Sequence, residues 1–202
     1  GNIDRPGGNI PSDNTYLCRP AGFKSRESQY YMEKAPDLTQ MFLYDKFPIW
    51  YKYCHETQAI TLADVILSGE PYPIKALYGV GMNFKMYPQT DKLVKALDQI
   101  DFFVNTDLFM TYTSKFADIV LPCCSSLERG EFKVYPGGYG VYTKPVIQPV
   151  YESKSDTDIL CELARYMELD DPLLLEGYEA SVDYIMQGCG LTVEQFKQSD
   201  LP

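Results

Sequence analysis

Residues 101–122 read DFFVNTDLFMTYTSKFADIVLP, and the places where apolar character starts and stops within them decide the fold. An apolar run from Asp101 to Thr106 closes at Asp107, and a second, DIVLP, is stopped by Pro122; both read as buried strands. A short helix is expected between them, over residues 111–116. Upstream, Thr90 is expected to cap a helix whose Leu93, Val94 and Leu97 share a face, and IKALYGV (74–80) reads as a strand feeding the loop GVGMNF. Before it, TLADVILSG has Thr61 as N-cap, Asp64 in the capping-box position, Leu62, Val65 and Ile66 on one face, and Gly69 as a stop. Strands of nearly continuous apolar character, separated by helix-length segments, imply a mainly parallel sheet covered on both faces, a three-layer α/β/α domain.

Composition narrows what such a domain does. At 202 residues and 45% hydrophobic, the chain buries a real core, and its length favours one domain or two. Eighteen Lys and Arg against 28 Asp and Glu give a net charge of -10, which argues against a nucleic-acid partner, because phosphate binding draws on clustered positive charge. A polyanionic ligand must be held locally, by backbone amides or a few side chains. No apolar run approaches a membrane span, and Gly1 to Pro11 lacks the basic and apolar regions of a signal peptide, so the chain is expected to be soluble. Cys18, Cys54, Cys123, Cys124, Cys161 and Cys189 contain no C-x-x-C pair, and one His is present, which disfavours a zinc or iron-sulfur site built from this chain alone. The cysteines read as mostly reduced. Cys54 beside His55 has no evident orienting group and reads as interfacial rather than as a nucleophile and its base.

The opening GNIDRPGGNIPSDN is dense in turn formers, and the pattern stays irregular and aromatic-rich through residue 56. Residues 1–56 are therefore read as a linker and lead-in, and 57–202 as one compact α/β domain. Past residue 150, Ser155 with Asp158 caps a helix carrying Ile159, Leu160, Leu163 and Met167 as an apolar stripe. Val182, Ile185 and Met186 suggest another, and Thr192 with Gln195 forms a capping box for a last short helix. Both stripes are expected in the core.

Open α/β sheets bind ligands beyond the carboxyl ends of their strands, which singles out the loops Gly79–Phe84 and Thr106–Thr113. Gly79 and Gly81 allow backbone amides to approach a phosphate, with Asn83 able to donate or accept. The fold is Rossmann-like, but G-x-G-x-x-G is absent, so an ordinary dinucleotide fold is disfavoured. Asp107 offers only acceptors and suits a base presenting two adjacent donors, as guanine does through N1–H and its N2 amine. The competing reading is that Asp107 caps the following helix. Asp118, opening the third strand, reads as structural, tying loop backbone to the turn.

The segment PYPIKALYGVGMNFKMYPQTDKLVKALDQIDFFVNTDLFMTYTSKFADIVLPCCSSLER (71–129) resembles the third domain of molybdopterin oxidoreductases of the dimethyl sulfoxide reductase family. The matching pieces come in order: the PYPIKAL strand entry, a G-x-N loop, a strand ending in Asp, a T-x-T-x-x-x-AD-x-VLP block and a Leu-Glu pair. GNIDRPGGN and SDTDILCELARYMELDD resemble the flanking linker and helix. The resemblance implies an oxidoreductase holding molybdenum or tungsten through two molybdopterin guanine dinucleotides, with two related α/β domains each taking one nucleotide end. This chain would be a fragment carrying one of them. Gly81, Met82 and Asn83 would lie along the diphosphate and ribose. Asp107 would accept from guanine, with Thr106 and Phe109 nearby and Thr111 or Thr113 setting the loop. Paired hydrogen bonds to an ionised acceptor, about 1.5 to 3 kcal/mol each, select guanine over adenine.

The resemblance implies no catalytic or metal-ligating side chain in this chain, which is expected to be inactive by itself. Its implied partners are the remaining domains of the parent enzyme and an iron-sulfur electron-transfer subunit, in a prokaryotic cytoplasm or periplasm. Two departures stand out: the family commonly has Pro after the loop Asn, where this chain has Phe84, and GEFKVYPGGYG puts Glu131 and Val134 at positions often polar. A cofactor-free structural domain, as in the large iron-sulfur subunit of respiratory complex I, is the alternative. An independent FMN binder fits less well, because GVGMNF is not the Ser- and Thr-rich phosphate loop it would need.

Overall fold

The computed structural model describes residues 43–54, 57–135 and 139–198. The opening loop, most of the aromatic lead-in, Cys18, the Cys54 side chain and His55 lie outside them. Within the stretch read as irregular, Pro48–Cys54 forms a helix, α1, and its Tyr51 is buried. Proline at the first helical position fits this start, since its missing N–H would have no partner there.

Next come α2 (Leu62–Ser68), β1 (Ala76–Val80), α3 (Thr90–Leu97), β2 (Phe102–Asp107) and β3 (Ile119–Pro122). The three strands form a parallel sheet in the order β1-β2-β3, with Gly79 opposite Asn105 and Asp107 opposite Pro122. The protein is thus an α/β fold, as its apolar runs predict. Helix α2 ends at Gly69 in the left-handed region, φ 69°. Thr61 holds the N-cap position as read, but its hydroxyl donates to the Gln58 carbonyl at 2.7 Å rather than capping, and Asp64 pairs with Lys92 instead of closing a capping box. Thr90 is the first helical residue of α3 rather than its cap, its hydroxyl donating to the Tyr87 carbonyl at 3.2 Å. The short helix expected over residues 111–116 is a single 3-10 turn, Ser114–Phe116.

Phe103 points from β2 into a core made with Phe84, Leu93, Ile66, Ala96 and Leu97, so α2 and α3 cover one sheet face. Burying side chains of this size is worth about 1.5–3 kcal/mol each. On the other face Val80, Phe102 and Ile119 are exposed, so the second layer is incomplete among the described residues. Asp118 is structural as read: its carboxylate accepts from the Phe103 amide at 2.7 Å and its amide donates to the Phe103 carbonyl at 2.8 Å.

The second half is a β-hairpin, β4 (Glu131–Tyr135) with β5 (Tyr139–Thr143), followed by α4 (Asp156–Tyr166), α5 (Pro172–Glu176), α6 (Tyr178–Met186) and α7 (Val193–Gln198). Ser155 caps α4 by accepting from the Asp158 amide, as its spacing predicts. The apolar stripe of α4 does not become core among the described residues: Leu160, Leu163 and Met167 are exposed, while Cys161 and Ala164 are buried. Val182 and Met186 of α6 pack with Val193 into a second cluster, against Phe132 and Tyr142 of the hairpin. Thr192 and Gln195 form the expected capping box, with the Thr192 amide donating to Gln195 Oε1 at 2.8 Å.

Candidate functional site

The carboxyl ends of β1 and β2 lie side by side, and the loops leaving them are tied to each other. After β1 the chain turns at Gly81, whose φ of 57° is the left-handed conformation that glycine adopts without strain. Its amide donates to the Thr106 carbonyl at 2.8 Å, fixing the turn against β2. Asn83 accepts from the Lys85 amide at 3.1 Å and so caps the 3-10 turn Phe84–Met86. The Phe84 amide donates to Thr113 Oγ1 at 3.0 Å, a buried bond across the two loops. Gly79 has a separate reason for being glycine: a Cβ there would stand 2.7 Å from Asn105 Oδ1.

Asp107 closes β2. Its Oδ1 accepts from the Phe109 amide at 3.3 Å and its Oδ2 from the Thr111 hydroxyl at 3.3 Å. The carboxylate therefore organises its own loop, as the capping reading predicts, though for a turn rather than a helix. Each oxygen retains a second acceptor lone pair. Beside it Leu108, Phe109 and Met110 are exposed, Phe109 by 74%, forming an apolar shelf next to the acceptor.

The structure brings the sequence-predicted residues together on adjoining loops, but not in equal roles. Gly79, Gly81 and Met82 line one end of an open cavity of about 450 Å³ that continues past Ile74 and Tyr87. Among the described residues, the amides of Met82 and Asn83 make no hydrogen bond, which leaves two adjacent donors beyond the left-handed turn. Backbone donors in this arrangement suit an anion. Thr106 sits on the opposite sheet face from Asp107, buried, its hydroxyl 3.0 Å from the Tyr78 hydroxyl. Thr113 is also buried and faces Phe84.

A scan against family models matches the molybdopterin oxidoreductase family over residues 52–166, more than half of the chain, which contains both loops. The chain belongs to the molybdopterin oxidoreductase family. It is 30% identical over 184 residues to dopamine dehydroxylase from Eggerthella lenta, covering 83% of this chain and 17% of that protein. It is 39% identical over 100 residues to trimethylamine-N-oxide reductase from Haemophilus influenzae, covering 46% of this chain and 12% of the relative. The solved structure of acetylene hydratase from Pelobacter acetylenicus superposes with a TM-score of 0.60 at 30% identity, over 70% of this chain and 20% of that one. The chain thus spans about a fifth or less of the length of these relatives.

Within the family frame, the departure at Phe84 has a physical reason. The Phe84 amide is the donor that Thr113 accepts, and a proline at that position could not supply it. Its ring fills the core, 6.0 Å from the rings of both Phe103 and Phe116. Glu131, the other departure, is ion-paired with Arg129 and Lys133 at 2.7 and 2.8 Å. Asn105 and Ser114 went unread in the sequence although they lie beneath the site. A polar residue inside an otherwise apolar strand was the available signal.

Proposed function

We propose that this chain is the domain of a molybdenum- or tungsten-dependent oxidoreductase that binds the guanine end of one molybdopterin guanine dinucleotide. The observation that carries the reading is the Asp107 carboxylate at the carboxyl end of β2, with acceptor capacity to spare and an apolar shelf at Leu108–Met110. A purine ring would lie against Phe109 while its paired donors meet Asp107, and the Met82 and Asn83 amides would take the diphosphate. The chemistry of these donors fits the group: acceptors where guanine has hydrogens, amides where the diphosphate has oxygens. Gly79 and Gly81 keep the first loop close to the sheet. Redox chemistry resides in the metal and its pterin ligands when the cofactor is bound, and this chain's part is to hold and orient one arm. Burial pushes the Cys123 thiol up, with Asp156 and Asp107 adding to the shift, which argues against Cys123 as a nucleophile beside the site.

The test is Asp107→Ala in the longer polypeptide, made in a host competent for the cofactor, with metal and oxidised-pterin content measured on one sample. The expected result is a loss of most pterin and metal. Wild-type content in the variant overturns the assignment. A second reading, a cofactor-free structural domain of the same fold, draws on the two bonds Asp107 accepts from its own loop. Wild-type protein without pterin would establish it.

A further inference from the structure

Beneath Asp107 runs a line of buried polar side chains that the proposed function does not use. Asn105 lies two residues back on β2, facing the same side of the sheet, and is 0% exposed. Its Nδ2 donates to Ser114 Oγ at 3.0 Å; Ser114 Oγ lies 2.9 Å from Thr111 Oγ1, which stands 3.3 Å from Asp107 Oδ2. Ser114 Oγ also lies 3.4 Å from the Phe109 carbonyl, a second acceptor for its one hydrogen, but Thr111 Oγ1 is nearer at 2.9 Å and favours one order along the line. A carboxylate only accepts, so Thr111 donates to Asp107; with its hydrogen committed, Thr111 accepts from Ser114, and Ser114 accepts from the Asn105 amide. Every link runs from Asn105 toward Asp107.

Stability alone does not account for this arrangement. Phe103, on the same strand and face, shows that an apolar side chain packs well there, whereas Asn105 Oδ1 has no hydrogen-bond partner among the described residues and also restricts position 79 to glycine. A buried amide oxygen without a partner is unfavourable, so the fold keeps Asn105 at a cost. Turned over, the amide would accept from Ser114, and the donor order toward Asp107 would be lost.

We propose that Asn105 and Ser114 are positioning residues for the base-reading carboxylate. Through Thr111 they hold Asp107 so that its remaining lone pairs face a ligand presenting two adjacent N–H donors. Their effect is on which purine is chosen rather than on nucleotide affinity as such. This rests on the guanine reading given above.

The experiment is calorimetric titration of the longer polypeptide, made in a host that lacks the cofactor, with guanosine, inosine and adenosine diphosphates, with melting temperature recorded for each protein. Wild type is expected to prefer the guanosine form over the adenosine form by about tenfold or more, with inosine, lacking the N2 amine, between them. Ser114→Ala is expected to bring the guanosine-to-adenosine ratio close to one, while adenosine diphosphate affinity and melting temperature change little. Asn105→Asp, which removes the Nδ2 donor, is expected to lower the guanosine-to-adenosine ratio as well, with some fall in melting temperature because it buries a carboxyl. An unchanged ratio in a folded variant overturns the inference and leaves the guanine reading standing. Equal weakening of all three ligands together with a large fall in melting temperature overturns it too, because that is a structural role. No guanosine preference in wild type overturns the guanine reading itself, and this inference with it.

Discussion

Thr113 makes its contribution from the inside. The family resemblance implies that it or Thr111 sets the loop, and the structure places the Thr113 hydroxyl on the buried Phe84 amide at 3.0 Å. Thr106 follows the same pattern, buried beside the Tyr78 hydroxyl, whereas Asn83 is exposed and caps its turn through the Lys85 amide. Asp107 was legible because a hydrophobic run ends on it, which puts a carboxylate at a strand terminus whatever its partners. The Asn105–Ser114 bond was not, since it joins residues nine apart across a turn and leaves no periodic trace. Thr113→Val tests this division of labour. It keeps the shape but removes the acceptor of a buried amide, and should destabilise the chain by about 1–3 kcal/mol in urea unfolding. A change within a few tenths of a kcal/mol would mean that the Phe84 amide reaches water.

Among elements, the parallel strands were read to within one or two residues because their apolar runs are bounded by Asp, Gly and Pro. The hairpin was missed, although EFKVY and YGVYT flank Pro-Gly-Gly in the pattern that two strands and a turn would give. Helix α4 was read correctly in its start and wrongly in its buried face, since an apolar stripe does not say whether the surface it meets belongs to the described residues. The hairpin's place is set by side chains from far along the chain. Tyr178 accepts from the Phe132 amide at 2.6 Å, and the Phe196 ring of α7 lies where a Cβ on Gly140 would stand, 2.9 Å from its Cζ. Gly140→Ala should therefore push α7 from β5 and cost about 1–3 kcal/mol. Its sign would be a lower melting temperature with reduced near-ultraviolet aromatic dichroism. An unshifted melt would show that the ring moves aside freely.

On the scale of the whole molecule the described residues hold two apolar clusters, one under the sheet and one under the hairpin, and a polar bracket is centred in the chain between β3 and β4. Glu128 is its centre, accepting from the Ser125 hydroxyl at 2.6 Å, the Val150 amide at 2.7 Å, the Ser125 amide at 2.8 Å and the Ser153 hydroxyl at 3.0 Å. Arg129 next to it donates to Asp156 at 2.7 Å and to Glu131 at 2.9 Å, joining α4 to the hairpin. Led by the Ser125 hydroxyl and then the Val150 amide, these donors lower the Glu128 carboxyl from its ordinary 4.5 to about 2. A group whose folded value is depressed contributes stability above its unfolded value and loses it as pH falls through the folded one. The bracket should accordingly weaken between pH 4.5 and 2. Glu131, lowered by Lys133 and Arg129, and Glu179, lowered by Lys197 and Tyr142, add slope of the same sign, so the difference between wild type and Glu128→Gln isolates Glu128. With the bracket intact the two clusters should melt as one transition. In acid, or in Glu128→Gln at neutral pH, the hairpin with α6 and α7 should lose amide protection before the sheet does. Hydrogen exchange across β2 and β5 reads both clusters in one experiment. If the variant keeps a single transition and the wild-type pH profile, the clusters are coupled through apolar contact and Glu128 merely fastens its own loop.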